Sequence, residues 1–135
     1  MRKSKPKAIS KPKPKLINPH TPIKSAFRSA VSVQISLFKH ENWYEGFICP
    51  LTEQPCKKSN VEVDHIYEFR FLLQDFLNKK KLAIGDVKIA YDKGRPVLLD
   101  QQLSIDWQAY HHKHATLRLT SRAGNRQRPR KKPTP

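Results

Sequence analysis

The fold is decided by residues 61–81, which read VEVDHIYEFRFLLQDFLNKKK. The stretch opens with three β-type residues, Val61-Glu62-Val63, that lead directly into Asp64 and His65. Beyond His65, apolar side chains recur at positions i, i+3, i+4, i+7 and i+8, the spacing of one helix face. They are Phe69, Leu72, Leu73, Phe76 and Leu77. We predict a strand that ends at His65, followed by a helix whose apolar face packs on the core.

Upstream of this stretch, Thr21-Pro22 is typical of a helix start, because proline suits the first helical position. Apolar residues at near-helical spacing follow, so we predict one amphipathic helix over residues 22–39. Residues 47–60 combine a short apolar piece with turn residues and hold both cysteines, Cys49 and Cys56. We predict a short strand and a turn-rich knuckle there.

Downstream, glycine and proline separate short apolar pieces in residues 84–102, which predicts a hairpin or an irregular connection. The segment SIDWQAYHHKH, residues 104–114, fits a short helix. ATLRLT, residues 115–120, alternates apolar and polar side chains as a strand does. The basic segment 121–128 follows as a short helix. Together these elements predict a single α+β domain.

The chain is strongly basic, since 27 Lys and Arg stand against 11 Asp and Glu, a formal net charge of +16. All the acidic residues lie between Glu41 and Asp106, and the segments on either side carry only basic charges. This balance favours a polyanionic partner, nucleic acid first and an anionic membrane second. Residues 1–20, rich in Lys and Pro, predict a disordered basic arm. Residues 21–128 predict the folded domain, and residues 129–135 a basic, proline-rich tail.

The composition also bears on where the protein works. No apolar run follows the basic N-terminus, so we predict no signal peptide. No stretch of the sequence reaches the apolar length of a membrane span. Two cysteines do not make a disulfide framework. We therefore expect a cytoplasmic or otherwise intracellular protein that does not act in a membrane, and the sequence leaves its oligomeric state open.

Two segments carry residues suited to hydrolytic chemistry. Asp64 and His65 place a hard oxygen ligand beside an imidazole at the end of a predicted strand. An oxygen ligand can hold a hard divalent cation, and an imidazole that titrates near neutrality can deprotonate water. Asn125, on the predicted basic helix, would supply a second and neutral oxygen. Most of the coordination sphere of the cation would then be left for phosphate oxygens and water.

These residues resemble the HNH nucleases of the ββα-metal (His-Me finger) fold. In that family an Asp/Glu-His or His-His pair ends the first strand. The pattern N-L-x-x-L-C-x-x-C-N-x-x-K then spans the second strand and the helix. Residues 116–128, TLRLTSRAGNRQR, overlay this pattern without a gap, and Leu117, Asn125 and Arg128 match it.

The sequence departs from the family pattern at specific positions. Ser121 and Gly124 stand where many members have zinc-binding cysteines, so a structural Zn²⁺ is not expected. Thr116 stands where many members have the middle Asn, which leaves open what orients the His65 loop. A long insertion, residues 67–114, separates the two halves and adds a helix after the Asp-His strand.

The resemblance implies a ββα-metal core and an endonuclease that hydrolyses phosphodiester bonds, with double-stranded DNA as the expected substrate. His65 would be the general base, and Asp64 and Asn125 would hold one divalent cation, Mg²⁺ or Mn²⁺. His114 and Thr116 are further candidates for the active site. Phosphate contacts would come from four arginines: Arg118, Arg122, Arg126 and Arg128.

Other interpretations of the same residues remain open at this point. A basic nucleic-acid-binding protein without catalysis would explain the charge equally well. An amphipathic N-terminal helix would also suit a protein that binds anionic membranes. The histidines at 111, 112 and 114 could form a solvated basic face or contact phosphate, and one of them could join the active site.

Overall fold

The computed structural model describes residues 18–127, which contain five α-helices and four strands. In order they are α1 (Thr21–Ala30), α2 (Ser32–Asn42), β1 (Val61–His65), α3 (Phe69–Lys80), β2 (Ile89–Asp92), β3 (Arg95–Leu98), α4 (Gln101–His114), β4 (Leu117–Ser121) and α5 (Arg122–Gln127). This content confirms the predicted α+β class. The predicted tail and most of the predicted N-terminal arm lie outside the described residues, and the last three arm residues lead into α1.

The strands form two separate antiparallel pairs, and the β2–β3 pair lies in sequence between the two strands of the β1–β4 pair. β1 pairs with β4, so that Asp64 lies opposite Arg118 and His65 opposite Leu117. Residues directly opposite each other project to the same face of a ladder, so Asp64 and Arg118 share a face. β2 and β3 form a hairpin, one of the two alternatives predicted for residues 84–102. α5 begins immediately after β4 and contacts β1, which brings the early and late motifs together.

The main core lies between α1, α3 and α4. All five residues of the predicted α3 stripe are buried, which confirms the helical spacing as a core pattern. Trp107 of α4 is fully buried, and its indole N–H donates to the carbonyl oxygen of Phe27 at 2.7 Å. Burial of each large apolar side chain stabilises the fold by about 2 kcal/mol. The insertion that separates the two motifs therefore contributes most of the core.

The single helix predicted for residues 22–39 is wrong, because the chain forms two helices that meet at Val31. Val31 has φ −110° and ψ 10°, outside the helical region, and is 1% exposed. The turn lets α2 pack against two clusters, with Ile35 on the main core and Phe38 on the smaller one. The apolar spacing continues across Val31, so the sequence pattern does not reveal the break.

A second, smaller cluster lies under the knuckle that precedes β1. Cys49 and Cys56, both free thiols, are buried there with Val61 and Leu119. The short strand predicted in residues 47–60 is reduced to one antiparallel bridge between Ile48 and Pro55. None of the helices within residues 18–127 has the length and apolarity needed to cross a bilayer.

Candidate active site

An open cleft of about 740 Å³ is lined by residues of α1, β1, α3 and α5. Asp64 and His65 reach it from the end of β1, and Asn125 reaches it from α5. About sixty residues separate the two motifs in sequence, and the β1–β4 ladder brings them to one place. The three residues predicted to carry the chemistry therefore line one cavity.

Asp64 is 2% exposed and is held in an ion pair across the ladder. Arg118 Nε donates to Asp64 Oδ2 at 2.9 Å, and the arginine side chain is 31% exposed. A buried carboxylate needs such a partner, because removing an ionised group from water is costly. Arg118, predicted to contact phosphate, thus lies beside the predicted metal ligand.

His65 is also buried, with 6% of its surface exposed. Its Nε2 lies 2.9 Å from Nε2 of His111, and its ring contacts the ring of Phe69 edge-on. Ile66, which follows His65, is fixed to the residue before β4, since Ile66 N donates to the carbonyl oxygen of Thr116 at 2.9 Å. Thr116 therefore helps to position the end of β1 through its backbone, although its side chain is exposed.

His111 is the member of the α4 histidine cluster that meets His65. It is 1% exposed, and its Nδ1 lies 2.7 Å from Oε1 of Gln34 on α2. Burial, together with the nearby charges of Arg28 and His112, lowers the pKa of His111 to about 4. His114, favoured from sequence because it stands closest to β4, is exposed and packs on Tyr110 instead.

Asn125 is oriented by Glu62 of β1. Asn125 Nδ2 donates to Glu62 Oε1 at 3.1 Å, and Arg122 Nε donates to Glu62 Oε2 at 3.0 Å. Glu62 thereby ties α5 to β1 through two side chains. Because the amide nitrogen is the donor in this contact, the amide oxygen of Asn125 is the atom suited to a cation.

The cations that line the cleft differ from those expected. Arg126 is exposed, Arg122 pairs with Glu62, and Arg128 lies outside the described residues. The cleft is lined by Lys24, Arg28 and Arg70 instead, from α1 and α3. Lys24 and Arg28 are four residues apart on one helix face, a spacing that could have been noticed in the sequence.

Arg28 and Arg70 are also held in place by neighbouring side chains. The guanidinium of Arg28 lies 4.1 Å from the ring centroid of Phe69. Arg70 pairs with Glu68 at 3.2 Å and lies over the ring of Phe71. Guanidinium groups fixed in this way are well suited to contact phosphate oxygens.

The oxygen atoms around the cleft suit a hard cation. Within residues 18–127, no group of three or more His, Cys, Asp or Glu lies close enough together to hold a metal ion. The predicted pair, Asp64 and Asn125, contains only one residue of those types. Glu68 also lines the cleft, and its buried Oε2 has no hydrogen-bond partner in the described part of the chain. Carboxylate and amide oxygens are the donors that Mg²⁺ and Mn²⁺ accept.

Beside the cleft, Ser121 and Gly124 meet Cys49 directly. Cys49 Sγ accepts from the backbone N–H groups of Ser121 at 3.1 Å and Leu51 at 3.3 Å. Burial raises the pKa of Cys49, but hydrogen bonds from Ser121 and Thr52 outweigh it and lower the pKa to about 6. The hydrogen bond from Ser121 therefore joins the knuckle to the end of β4, immediately before α5.

The cleft combines an imidazole, carboxylate and amide oxygens, and a wall of cations. That set of groups can bind a phosphate ester, hold a divalent cation and accept a proton from water. Comparisons of the chain with known protein families, with curated proteins and with solved structures found no match.

Proposed function

We propose that this protein is a metal-dependent endonuclease that hydrolyses phosphodiester bonds in double-stranded DNA. In this proposal β1, β4 and α5 form a ββα-metal core. The observation that supports it is that Asp64, His65 and Asn125 line one cleft together with Lys24 and two arginines.

His65 acts as the general base and takes the proton from the attacking water. The water oxygen forms a bond to phosphorus, the bond between phosphorus and the 3′ oxygen breaks, and the departing 3′ oxygen takes a proton from solvent. Asp64 and Asn125 would hold one Mg²⁺ or Mn²⁺, with the Glu68 carboxylate close by in the same cleft. A bound cation supplies stabilisation of the negative charge on the phosphate and the departing oxygen.

The cations of the cleft wall hold the DNA backbone in place. Lys24, Arg28 and Arg70 contact phosphates, with the arginines of β4 and α5 adding further contacts. These contacts carry no information about base sequence, so affinity depends on charge and falls steeply with salt. The net charge of +16 supports a polyanionic substrate of this kind.

The alternative is a basic nucleic-acid-binding protein without catalysis. The Asp64–Arg118 ion pair favours it, because a carboxylate that serves only to anchor an arginine needs no metal. The net charge suits both functions equally. Cleavage of DNA in the presence of a divalent cation separates them.

A plasmid-nicking assay with Mg²⁺ or Mn²⁺ tests the proposal. We expect the wild-type protein to nick, and His65→Gln, which keeps side-chain size, to lower the rate at least about 100-fold. DNA binding of the variant should stay at the wild-type level. His112→Gln, on the exposed face of α4, is the matched control and should nick normally.

Two results would contradict the proposal in different ways. A wild-type protein that binds DNA but never nicks it with either metal is a binding protein. A His65→Gln variant that nicks at the wild-type rate shows that the general base is another group. Circular dichroism of both variants checks that they fold.

A further inference from the structure

We infer that His111, supported by Gln34, is a positioning residue that fixes the tautomer of His65. It holds the hydrogen of His65 on Nε2 and so makes Nδ1 the nitrogen that accepts the proton from water. This inference rests on the proposed function, in which His65 is the general base. It adds a residue of α4 to a site whose cleft is lined by α1, β1, α3 and α5.

The direction of the hydrogen bonds can be followed from the backbone outward. The carbonyl oxygen of Gln108 can only accept, so the group 2.9 Å away must be the amide nitrogen of Gln34. The amide oxygen of Gln34 therefore faces His111 Nδ1 at 2.7 Å. Because an amide oxygen can only accept, His111 Nδ1 carries a hydrogen.

The hydrogen on His111 Nδ1 in turn fixes the direction of the contact between His111 and His65. A neutral imidazole carries one hydrogen, so His111 Nε2 is an acceptor. It lies 2.9 Å from Nε2 of His65, and a hydrogen bond between them requires His65 Nε2 to be the donor. The neutral His65 ring is therefore unprotonated at Nδ1.

The environment of His111 keeps it neutral. The side chain is 1% exposed, and burial together with the nearby Arg28 and His112 lowers its pKa to about 4. His111 can therefore accept a hydrogen bond from His65 without taking the proton. The positive charge of Arg28 thus opposes a second positive charge on His111.

The contact also helps His65 to become charged. When Nδ1 takes a proton, the Nε2–H of the resulting imidazolium still donates to the lone pair of His111. A hydrogen bond from a charged donor is about twice as strong as a neutral one. The contact thus stabilises the product of proton transfer more than the starting state. Contact with Phe69 on another side of the ring limits rotation of His65 away from this position.

Long-range ¹H–¹⁵N NMR of the full-length protein at about pH 8 reads the tautomer directly, because protonated and unprotonated ring nitrogens have distinct shifts. We expect His65 to be the Nε2–H form and His111 the Nδ1–H form. His111→Phe keeps a buried ring but removes the acceptor. It should give mixed tautomers at His65 and lower the nicking rate about tenfold or more with DNA binding unchanged.

A second variant separates positioning from packing. His111→Gln places an amide oxygen close to the former Nε2 position, so it should keep the His65 tautomer and most of the nicking rate. His112→Phe is the control and should change neither. If His111 only filled space, phenylalanine at this position would be tolerated at least as well as glutamine.

The His65 tautomer tests the role of His111, and DNA nicking tests the nuclease proposal, so the two can fail separately. The tautomer is measured without DNA or metal, so an Nδ1–H form of His65 in the wild-type protein overturns the inference alone. A His111→Phe variant with an unchanged tautomer and nicking rate also overturns it. A wild-type protein with the expected tautomer that never nicks DNA contradicts the nuclease proposal instead, and His111 would then have no catalytic base to position.

Discussion

Asp64 and Arg118 face each other across the β1–β4 ladder, with Arg118 Nε 2.9 Å from Asp64 Oδ2. The carboxylate is almost fully buried, whereas the arginine is partly exposed. A divalent cation bound at Asp64 would compete with the guanidinium for the same carboxylate and would be repelled by its charge. Arg118 is therefore placed to tune how tightly the cleft holds a cation.

We predict that Arg118→Met increases the stabilisation that Mn²⁺ gives to the protein. The variant should be less stable than the wild type by roughly 2 kcal/mol without added metal, because a buried carboxylate loses a charged partner. Mn²⁺ should restore more stability than it adds to the wild type, since the competing charge is gone. Thermal melting with and without Mn²⁺ measures both effects.

Arg126→Met is the matched control for this experiment, because it removes one exposed arginine charge of α5 and leaves in place the Arg122–Glu62 pair that supports Asn125. Its Mn²⁺ response should equal that of the wild type. An Arg118→Met protein that gains less from Mn²⁺ than the wild type would show that the metal does not use Asp64.

A second prediction concerns Gly124, where α5 meets the knuckle. A Cβ atom there would lie 3.0 Å from Ser121 Oγ, 3.1 Å from Cys49 Sγ and 3.1 Å from Leu51 Cβ. Alanine normally favours a helix over glycine by about 1 kcal/mol. Here three neighbours, two from the knuckle and one from β4, would have to move, and overpacking of this kind costs about 1–3 kcal/mol.

We therefore expect Gly124→Ala to lower the melting temperature despite its better helix propensity. Gly85→Ala is the control, because a Cβ at Gly85 would meet only His20 Nε2 at an ordinary 3.4 Å. An unchanged or raised melting temperature for Gly124→Ala would show that the knuckle is not packed against α5 as described.

A third prediction follows from the buried His111. Its pKa in the folded protein is about 4, below the ordinary value near 6.5 in an unfolded chain. Between these values the unfolded chain binds more protons, so stability should fall as the pH drops from about 6.5 to 4. The loss attributable to His111 is at most roughly 3 kcal/mol.

Urea unfolding at a series of pH values measures this dependence. His111→Phe should flatten the curve across that window, because the group that resists protonation is gone. His114→Phe should keep the wild-type slope, since His114 is exposed. A wild-type slope that persists in His111→Phe would assign the effect to other groups.

The elements of the fold could be predicted wherever one local pattern decided them. The α3 stripe and the strand before α5 follow from spacing within a few residues, whereas the glycines and proline of residues 84–102 predicted either a hairpin or an irregular connection. The break at Val31 could not be predicted, because it depends on two clusters that α2 must reach at once. The pairing of β1 with β4 was expected only through the resemblance to a family.

The candidate site shows the same division. Asp64, His65 and Asn125 stand out by residue type and position. His111 was missed as the partner of His65 because the two are 46 residues apart and proximity to β4 favoured His114. One signal was present, since His111 follows Trp107 by four residues and so shares its buried helix face. Knowing which face of α4 is buried requires the tertiary structure.

A final prediction tests the cations of the cleft wall. Lys24 and Arg70 are exposed residues that line the cleft beside His65. If each contacts one phosphate, replacing both with alanine should reduce the slope of log affinity against log salt by about 2. Fluorescence anisotropy with a short duplex at several salt concentrations measures this slope.

The control is a double variant with the same loss of charge elsewhere. Lys93 and Arg95, at the β2–β3 turn, are exposed and do not line the cleft. Lys93→Ala with Arg95→Ala should lower affinity only slightly and leave the slope near the wild-type value, because the two charges would act only through the overall field. Equal slopes in both double variants would mean that DNA is bound through net charge and not in the cleft. In that case the catalytic groups would have no bound phosphate to act on.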